Sequence, residues 1–124
     1  MLFRSRGRYY KKIGADLIFV EAPQSIDEMK KIGREINAPL VANMIEGGAT
    51  PISSTSKLHK MGFQLILYPL SILYANTFAT LKILKELKSK GTTTRLKNDL
   101  VNFDQFNDIV ELSKFRKLEG KYSK

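Results

Sequence analysis

GADLIFVEAP, the sequence of residues 14–23, contains an apolar run of the length of a short buried strand. The same pattern returns in PLVANMIEGGATP at residues 39–51 and in GFQLILYPLS at residues 62–71. A helical pattern follows each run. Apolar strands that alternate with helices are typical of parallel sheets buried on both faces, so the sequence predicts an α/β fold. The predicted strands are residues 17–20, 40–42 and 63–67.

Local signals also predict the helices between these strands. Residues 2–13 form the first helix. Ser25 and Glu28 form a capping box that begins the second helix, and a hydroxyl side chain within residues 54–56 caps a short third helix that ends at Gly62.

A long fourth helix is predicted from Ser71, as its cap, to about Lys90, where Gly91 supplies the left-handed stop. Its apolar residues spread around most of the circumference, so it needs cover on most sides. We infer an oligomer or a missing part of the same chain, and the alternative is burial by the tail alone. The apolar residues are Ile72, Leu73, Tyr74, Phe78, Leu81, Ile83, Leu84 and Leu87.

The composition is that of one small globular domain, with 124 residues, 43% of them hydrophobic and 27% charged. We expect a single partial domain made of three segments. Without Cys there is neither a disulfide framework nor a thiolate metal site, and a reducing cytoplasm is the expected location. The longest apolar run is too short to cross a bilayer. The three segments are residues 1–70 with the strands, 71–91 with the long helix, and 92–124 as a tail of two or three short helices.

The formal charge of +9 raises the question of an anionic partner. Positive residues gather within residues 4–12 and 82–90. Lys82, Lys85 and Lys88 recur every three residues, which is typical of a solvated helix face. Because no nucleic-acid-binding motif accompanies them, nucleic acid is not the expected partner.

Polar residues follow the predicted strands at the end where parallel α/β folds gather their reactive groups. Glu21 follows the first strand, and it either orients a substrate hydroxyl or a hydrated cation or caps the following turn. Asn43 ends the second strand and is suited to donate to a substrate carboxylate. Tyr68 ends the third. Glu46 is either a gate residue or a solvated one, so these strand ends predict one site without a complete set of catalytic groups.

The segments at residues 14–23, 39–51 and 62–71, followed by LKELKSKGTT at residues 84–93, resemble the carboxyl-terminal part of the isocitrate lyase and phosphoenolpyruvate mutase superfamily. The branch is that of methylisocitrate lyase, dimethylmalate lyase, oxaloacetate hydrolase and the phosphonomutases. The resemblance implies a partial (β/α)8 TIM barrel, made of its last three β/α units. It also implies a long helix exchanged between subunits of a homo-oligomer.

The resemblance further assigns Glu21, Asn43, Met44 and Ile45 as substrate-binding residues. It implies that Mg²⁺ and the catalytic loop belong to the five strands that have no counterpart here, so no catalytic or metal-binding residue is expected in this chain. Tyr74 and Phe103 stand where methylisocitrate lyases tend to have arginines. Neither ring can clamp a carboxylate as a guanidinium does, which predicts a substrate smaller than methylisocitrate.

The leading hypothesis is therefore the carboxyl-terminal portion of a Mg²⁺-dependent lyase or mutase, inactive alone. Its substrates are 2-oxo or 2-hydroxy carboxylic acids or phosphonates, in which a C–C or P–C bond is cleaved or rearranged. One alternative is a half-barrel that completes an enzyme in trans with a separate amino-terminal half. Another is a non-enzymatic basic interaction protein.

Overall fold

The computed structural model describes residues 2–123, with side chains from Phe3 onward, and it has the predicted α/β organisation. The chain divides into two compact units, one extending to Thr77 and one beginning at Phe78. The first unit holds α1 (Leu2–Lys12), β1 (Ile18–Phe19), α2 (Ile26–Glu35), β2 (Leu40–Asn43), α3 (Thr55–Lys60) and β3 (Phe63–Leu67). The chain continues through α4 (Ser71–Lys90), a 3-10 helix (Thr94–Asp99), α5 (Phe103–Ile109) and α6 (Leu112–Tyr122).

The three strands form one parallel sheet in the order β1-β2-β3, which confirms the predicted pairing. Ile18 pairs with Leu40, and Asn43 pairs with Leu67. A register shift lies between Leu40 and Val41. β1 is shorter than predicted and β2 is one residue longer, so Asn43 belongs to the strand itself.

One face of the sheet packs against helices to make the hydrophobic core of the first unit. Ile18, Leu40 and Phe63 from the sheet are at most 3% exposed. They pack in one cluster with side chains from the helices and the segments next to them. Those partners include Met29, Ile32, Ile36, Met44 and Leu58.

The opposite face of the sheet is open, which corrects the prediction of strands buried on both faces. Phe19, Leu65 and Leu67 are 44%, 42% and 39% exposed. Side chains of a strand alternate between faces, and the described helices supply core residues to the other face. The apolar side chains of this face are therefore exposed, although the sequence pattern predicts that they are buried.

The caps of α2 and α4 differ in detail from the predicted ones. The hydroxyl of Ser25 accepts from the N–H of Glu28 at 3.1 Å, as predicted, but the Glu28 carboxylate accepts from the N–H of Gln24 at 2.8 Å. α4 begins at Ser71 rather than after it, and the Ser71 hydroxyl donates to the Glu46 carboxylate. The cap predicted for Ser71 is thus wrong, because Ser71 is the first residue of the helix and the Tyr74 N–H donates to the carbonyl of Leu70, the residue before it.

The long helix has the predicted bounds, and Gly91 has the expected positive φ of 67°. Burial by the tail alone is wrong, since no residue of α4 is buried. Phe78, Leu81 and Leu84 are 71%, 62% and 56% exposed. Among residues 2–123, no helix has both the length and the apolar character needed to span a membrane.

Candidate functional site

The residues that follow β1 and β2 come together around one cavity of about 120 Å³. Glu21, Asn43, Met44 and Ile45 all contribute to its lining, so the structure brings together the four predicted site residues. Parallel strands end at the same edge of a sheet, which explains why residues more than twenty positions apart meet there. Tyr68 does not belong to this lining, and β3 contributes through Phe63 instead.

Glu21 is held at the cavity by an unusual backbone. It is exposed, and the next residue, Ala22, has a φ of +48°. A positive φ is uncommon in residues other than Gly and costs free energy, so it persists only where the surrounding structure imposes it. Pro23 then restricts the chain further. This turn directs the chain out of β1 directly beside the cavity.

Asn43 lines the cavity and carries an unpaired polar atom. Its side-chain oxygen Oδ1 is buried and has no hydrogen-bond partner among the described residues. Buried polar atoms are nearly always hydrogen-bonded, because an unpaired one costs about 1–3 kcal/mol. An unpaired acceptor on a residue that lines a cavity makes Asn43 a candidate for receiving a donor from a bound molecule.

Met44 and Ile45 line the cavity, and their side chains are apolar. The Met44 side chain is fully buried, and its backbone N–H donates to the Leu67 carbonyl at 2.8 Å. The Ile45 carbonyl accepts from the N–H of Gly48 at 3.0 Å and closes a turn. These backbone groups already have partners, so the polar side chains of the cavity are those of Glu21, Asn43 and Thr50.

Glu46 and Ser71 form a contact at this site that sequence reasoning missed. Ser71 lies 25 residues after Glu46, and its hydroxyl donates to the Glu46 carboxylate. This bond, together with a backbone hydrogen bond, lowers the pKa of Glu46 from its ordinary value of 4.5. No local signal joins the two residues, although both follow strands of the same sheet.

Within residues 2–123, no group of three or more His, Asp and Glu side chains is arranged to hold a metal ion. Magnesium normally requires an octahedral set of oxygen ligands. The described side chains by themselves do not fit a Mg²⁺ site, and His59 lies exposed on α3.

Comparison with known proteins gives two close sequence matches of different activity. No family model matches the chain. It is 44% identical over 119 residues to a chloroplastic carboxyvinyl-carboxyphosphonate phosphorylmutase from Arabidopsis thaliana, covering 96% of this chain and 35% of that protein. It is 38% identical over 118 residues to 2,3-dimethylmalate lyase from Eubacterium barkeri, covering 95% of this chain and 41% of that protein. The chain thus spans about two fifths of the length of these relatives.

Solved structures match over the same share. A crystal structure of 2,3-dimethylmalate lyase, described as a member of the PEP mutase/isocitrate lyase superfamily, matches with a TM-score of 0.81 and 26% identity. That match covers 95% of this chain and 39% of the other. Phosphonopyruvate hydrolase in complex with oxalate and Mg²⁺ matches with a TM-score of 0.78 and 18% identity, over 98% and 43% of the two chains. At that identity the second match concerns the fold alone.

Proposed function

Because the chain belongs to the isocitrate lyase and phosphoenolpyruvate mutase superfamily, we propose that it is the carboxyl-terminal part of a Mg²⁺-dependent lyase or mutase. The proposed substrates are 2-oxo or 2-hydroxy carboxylic acids or phosphonates, in which a C–C or P–C bond is cleaved or rearranged. One observation carries the proposal: Glu21, Asn43, Met44 and Ile45 line one cavity at the carboxyl end of the sheet. The chain alone is inactive in this proposal, since it spans two fifths of its relatives.

Within this cavity Asn43 is the proposed polar anchor for substrate. Its unpaired Oδ1 accepts from a substrate hydroxyl, and its amide N–H donates to a substrate carboxylate. The Glu21 carboxylate accepts a hydrogen bond from a second substrate hydroxyl or from a water. Met44 and Ile45 complete the wall and exclude water from it.

The proposed architecture is the last three β/α units of a (β/α)8 barrel. The open sheet face with Phe19, Leu65 and Leu67 supports this, because the interior of a barrel is filled by such side chains. The exposed apolar residues of α4 support its exchange between subunits of a homo-oligomer. In this proposal residues 1–124 form one partial domain, with the segments 1–70, 71–91 and 92–124 predicted from the sequence.

In this proposal Mg²⁺ is bound by the whole protein and not by this chain alone. Phosphonopyruvate hydrolase has been solved with Mg²⁺ and oxalate. The described residues of this chain do not fit a complete Mg²⁺ site, so we assign its ligands to the rest of the barrel. The part played by this chain is to bind and orient the substrate.

The proposed substrate is smaller than methylisocitrate. Tyr74 and Phe103 stand where arginines are expected for a tricarboxylic substrate, and they are 47% and 79% exposed. An aromatic ring supplies no pair of N–H donors to a carboxylate. Efficient cleavage of methylisocitrate by a protein containing this chain would contradict this part of the proposal.

A hybrid enzyme tests the proposed function. This chain would replace the matching 118 residues of Eubacterium barkeri 2,3-dimethylmalate lyase, and cleavage of 2,3-dimethylmalate would be measured. We expect activity in the hybrid, and a roughly 10- to 100-fold loss of kcat/KM with Asn43→Ala, because a hydrogen bond to a charged group contributes about 1.5–3 kcal/mol. The matched control is His59→Ala, a substitution at an exposed position of α3. A folded hybrid with unchanged kinetics after Asn43→Ala would contradict the assignment.

Assembly in trans is the second candidate, and the open sheet face favours it as well. A separately expressed amino-terminal part of the lyase would be mixed with this chain. Activity found only in the mixture would support a half-barrel that completes an enzyme in trans. Loss of that activity with Leu65→Asp, which places a charge on the open face, would locate the interface there.

A basic interaction protein is less well supported by the structure. Arg8 Nε donates to the Glu35 carbonyl at 2.8 Å, and Arg4 lies 3.5 Å from the Glu35 carboxylate. Lys82 pairs with Asp99 at 2.9 Å. Several of the clustered cations thus have partners within the protein, and we do not propose this function.

A further inference from the structure

A hydrogen bond connects the loop after β2 with the beginning of α4. The Ser71 hydroxyl donates to Oε1 of Glu46 across 25 residues of sequence. Glu46 belongs to the β2–α3 loop, which we define as residues 44–54. Both residues lie in the first unit, so the bond joins two parts of one compact body.

Glu46 occupies the turn that shapes the cavity wall. The turn is closed by the bond from the Gly48 N–H to the Ile45 carbonyl at 3.0 Å, and Gly47 within it has a φ of +78°. Gly48, Ala49 and Thr50 follow directly and line the cavity. An interaction that holds Glu46 in place therefore also fixes the position of residues 48–50 in the cavity wall.

Few other bonds restrain the loop among the residues that the structure describes. At its start the Met44 N–H donates to the Leu67 carbonyl at 2.8 Å, and at its end the Ser54 hydroxyl caps α3. Between these anchors the loop is held by the Gly48 turn and by the link from Glu46 to Ser71. Because Gly47 has no Cβ, it adopts φ angles of either sign at similar cost, so other loop conformations are accessible.

The Glu46–Ser71 bond is charge-assisted, which makes it stronger than a bond between neutral groups. The lowered pKa of Glu46 has this hydroxyl as its largest cause, so the carboxyl is ionised at neutral pH. Both side chains are accessible enough that the bond competes with water. A bond of this kind can hold a loop without making it rigid.

We propose that Glu46 and Ser71 are positioning residues, whose hydrogen bond holds the β2–α3 loop so that residues 48–50 close the cavity wall. They act through the loop and need not touch the substrate. The effect on substrate binding rests on the proposed function, whereas the effect on the loop does not. The two effects can therefore be measured separately.

Hydrogen exchange of this chain, read by mass spectrometry, tests the effect on the loop. Ser71→Ala removes the donor, and Ser71→Thr keeps it. Ser89→Ala is the control, since the Ser89 hydroxyl bonds the Glu86 carbonyl of its own helix. We expect exchange at residues 45–50 to quicken about three- to tenfold in Ser71→Ala, the range for an exposed hydrogen bond. Ser71→Thr and Ser89→Ala should match the wild type. Equal exchange in Ser71→Ala and wild type, or an unprotected loop in both, would overturn the proposal.

Kinetics of the hybrid enzyme test the effect on binding. Ser71→Ala should raise KM about three- to tenfold with a smaller change in kcat. Without the bond the loop is in its binding-competent conformation for a smaller fraction of the time, which weakens the apparent affinity for substrate. Glu46→Gln combined with Ser71→Ala should cost no more than the larger single change, since both remove one bond. Additive losses in the double variant would refute the claim that Glu46 and Ser71 act through one shared bond. An inactive hybrid would count against the proposed function only, because the exchange experiment decides the role of the bond.

Discussion

Gly33 lies where α2 meets the end of α3, and the space there excludes any side chain. A Cβ built on Gly33 would lie 1.7 Å from the Met61 carbonyl oxygen, whereas real Cβ atoms essentially never approach closer than 3.0 Å. The obstacle is backbone, which cannot turn aside as a side chain can. Gly33→Ala must therefore push the end of α3 away from α2.

This displacement would loosen the core that both helices share. Met29, Ile32 and Leu58 are fully buried there. Overpacking of a core costs about 1–3 kcal/mol, and a backbone obstacle places the cost at or above the upper end. Alanine returns about 1 kcal/mol through its better helix propensity. We expect a net loss of about 2 kcal/mol in the free energy of unfolding.

Thermal unfolding followed by far-ultraviolet circular dichroism measures this loss. For a unit of this size the midpoint should fall by roughly 10 °C. Gly120→Ala in α6 is the matched control, because a Cβ there meets nothing within 4 Å, and it should leave stability unchanged or raise it by about 0.5–1 kcal/mol. A Gly33→Ala midpoint equal to or above that of the wild type would refute the packing argument.

Three further predictions concern the site and the open sheet face. Asn43→Leu should leave the free energy of unfolding of this chain unchanged or raise it by about 1 kcal/mol, because it removes an unpaired buried oxygen; denaturant unfolding checks this, and marked destabilisation would mean that the oxygen has a partner. Ser71→Ala should destabilise the chain at neutral pH but not in acid. The folded pKa of Glu46 is lowered, so its contribution is complete above the ordinary value of 4.5 and is lost as the pH falls through the lowered pKa; a difference that persists in strong acid would contradict this cause. Leu65→Asp should reduce self-association in sedimentation velocity while the chain stays folded, because Leu65 is 42% exposed. Leu58→Asp, at a fully buried position, should unfold the chain instead.

Much of the candidate site could be predicted because it follows from a general rule of parallel sheets. Glu21 and Asn43 each come directly after an apolar run, and parallel strands bring such positions to one edge. The structure adds the unpaired oxygen of Asn43 and the positive φ of Ala22. Neither has a signal in the sequence, since each depends on what surrounds the residue in space.

The role of Ser71 illustrates where local reasoning fails. A Ser before an apolar helix is a standard candidate for a cap, and Ser25 and Ser54 do cap their helices. Ser71 instead gives its hydroxyl to Glu46. This acceptor belongs to another loop, so the contact could be identified only after the strands were in place.

The sequence by itself determined the helices and the strands, because caps, glycine stops and apolar periodicity act between residues a few positions apart. Its alternation of apolar strands with helices also predicted their parallel pairing. It also determined the family, since four ordered motifs carry the resemblance. The tertiary structure alone decided which sheet face is covered, which acceptor Ser71 reaches and why Gly33 tolerates no side chain. These features depend on atoms far apart along the chain, and packing brings such atoms together only when the whole unit has folded.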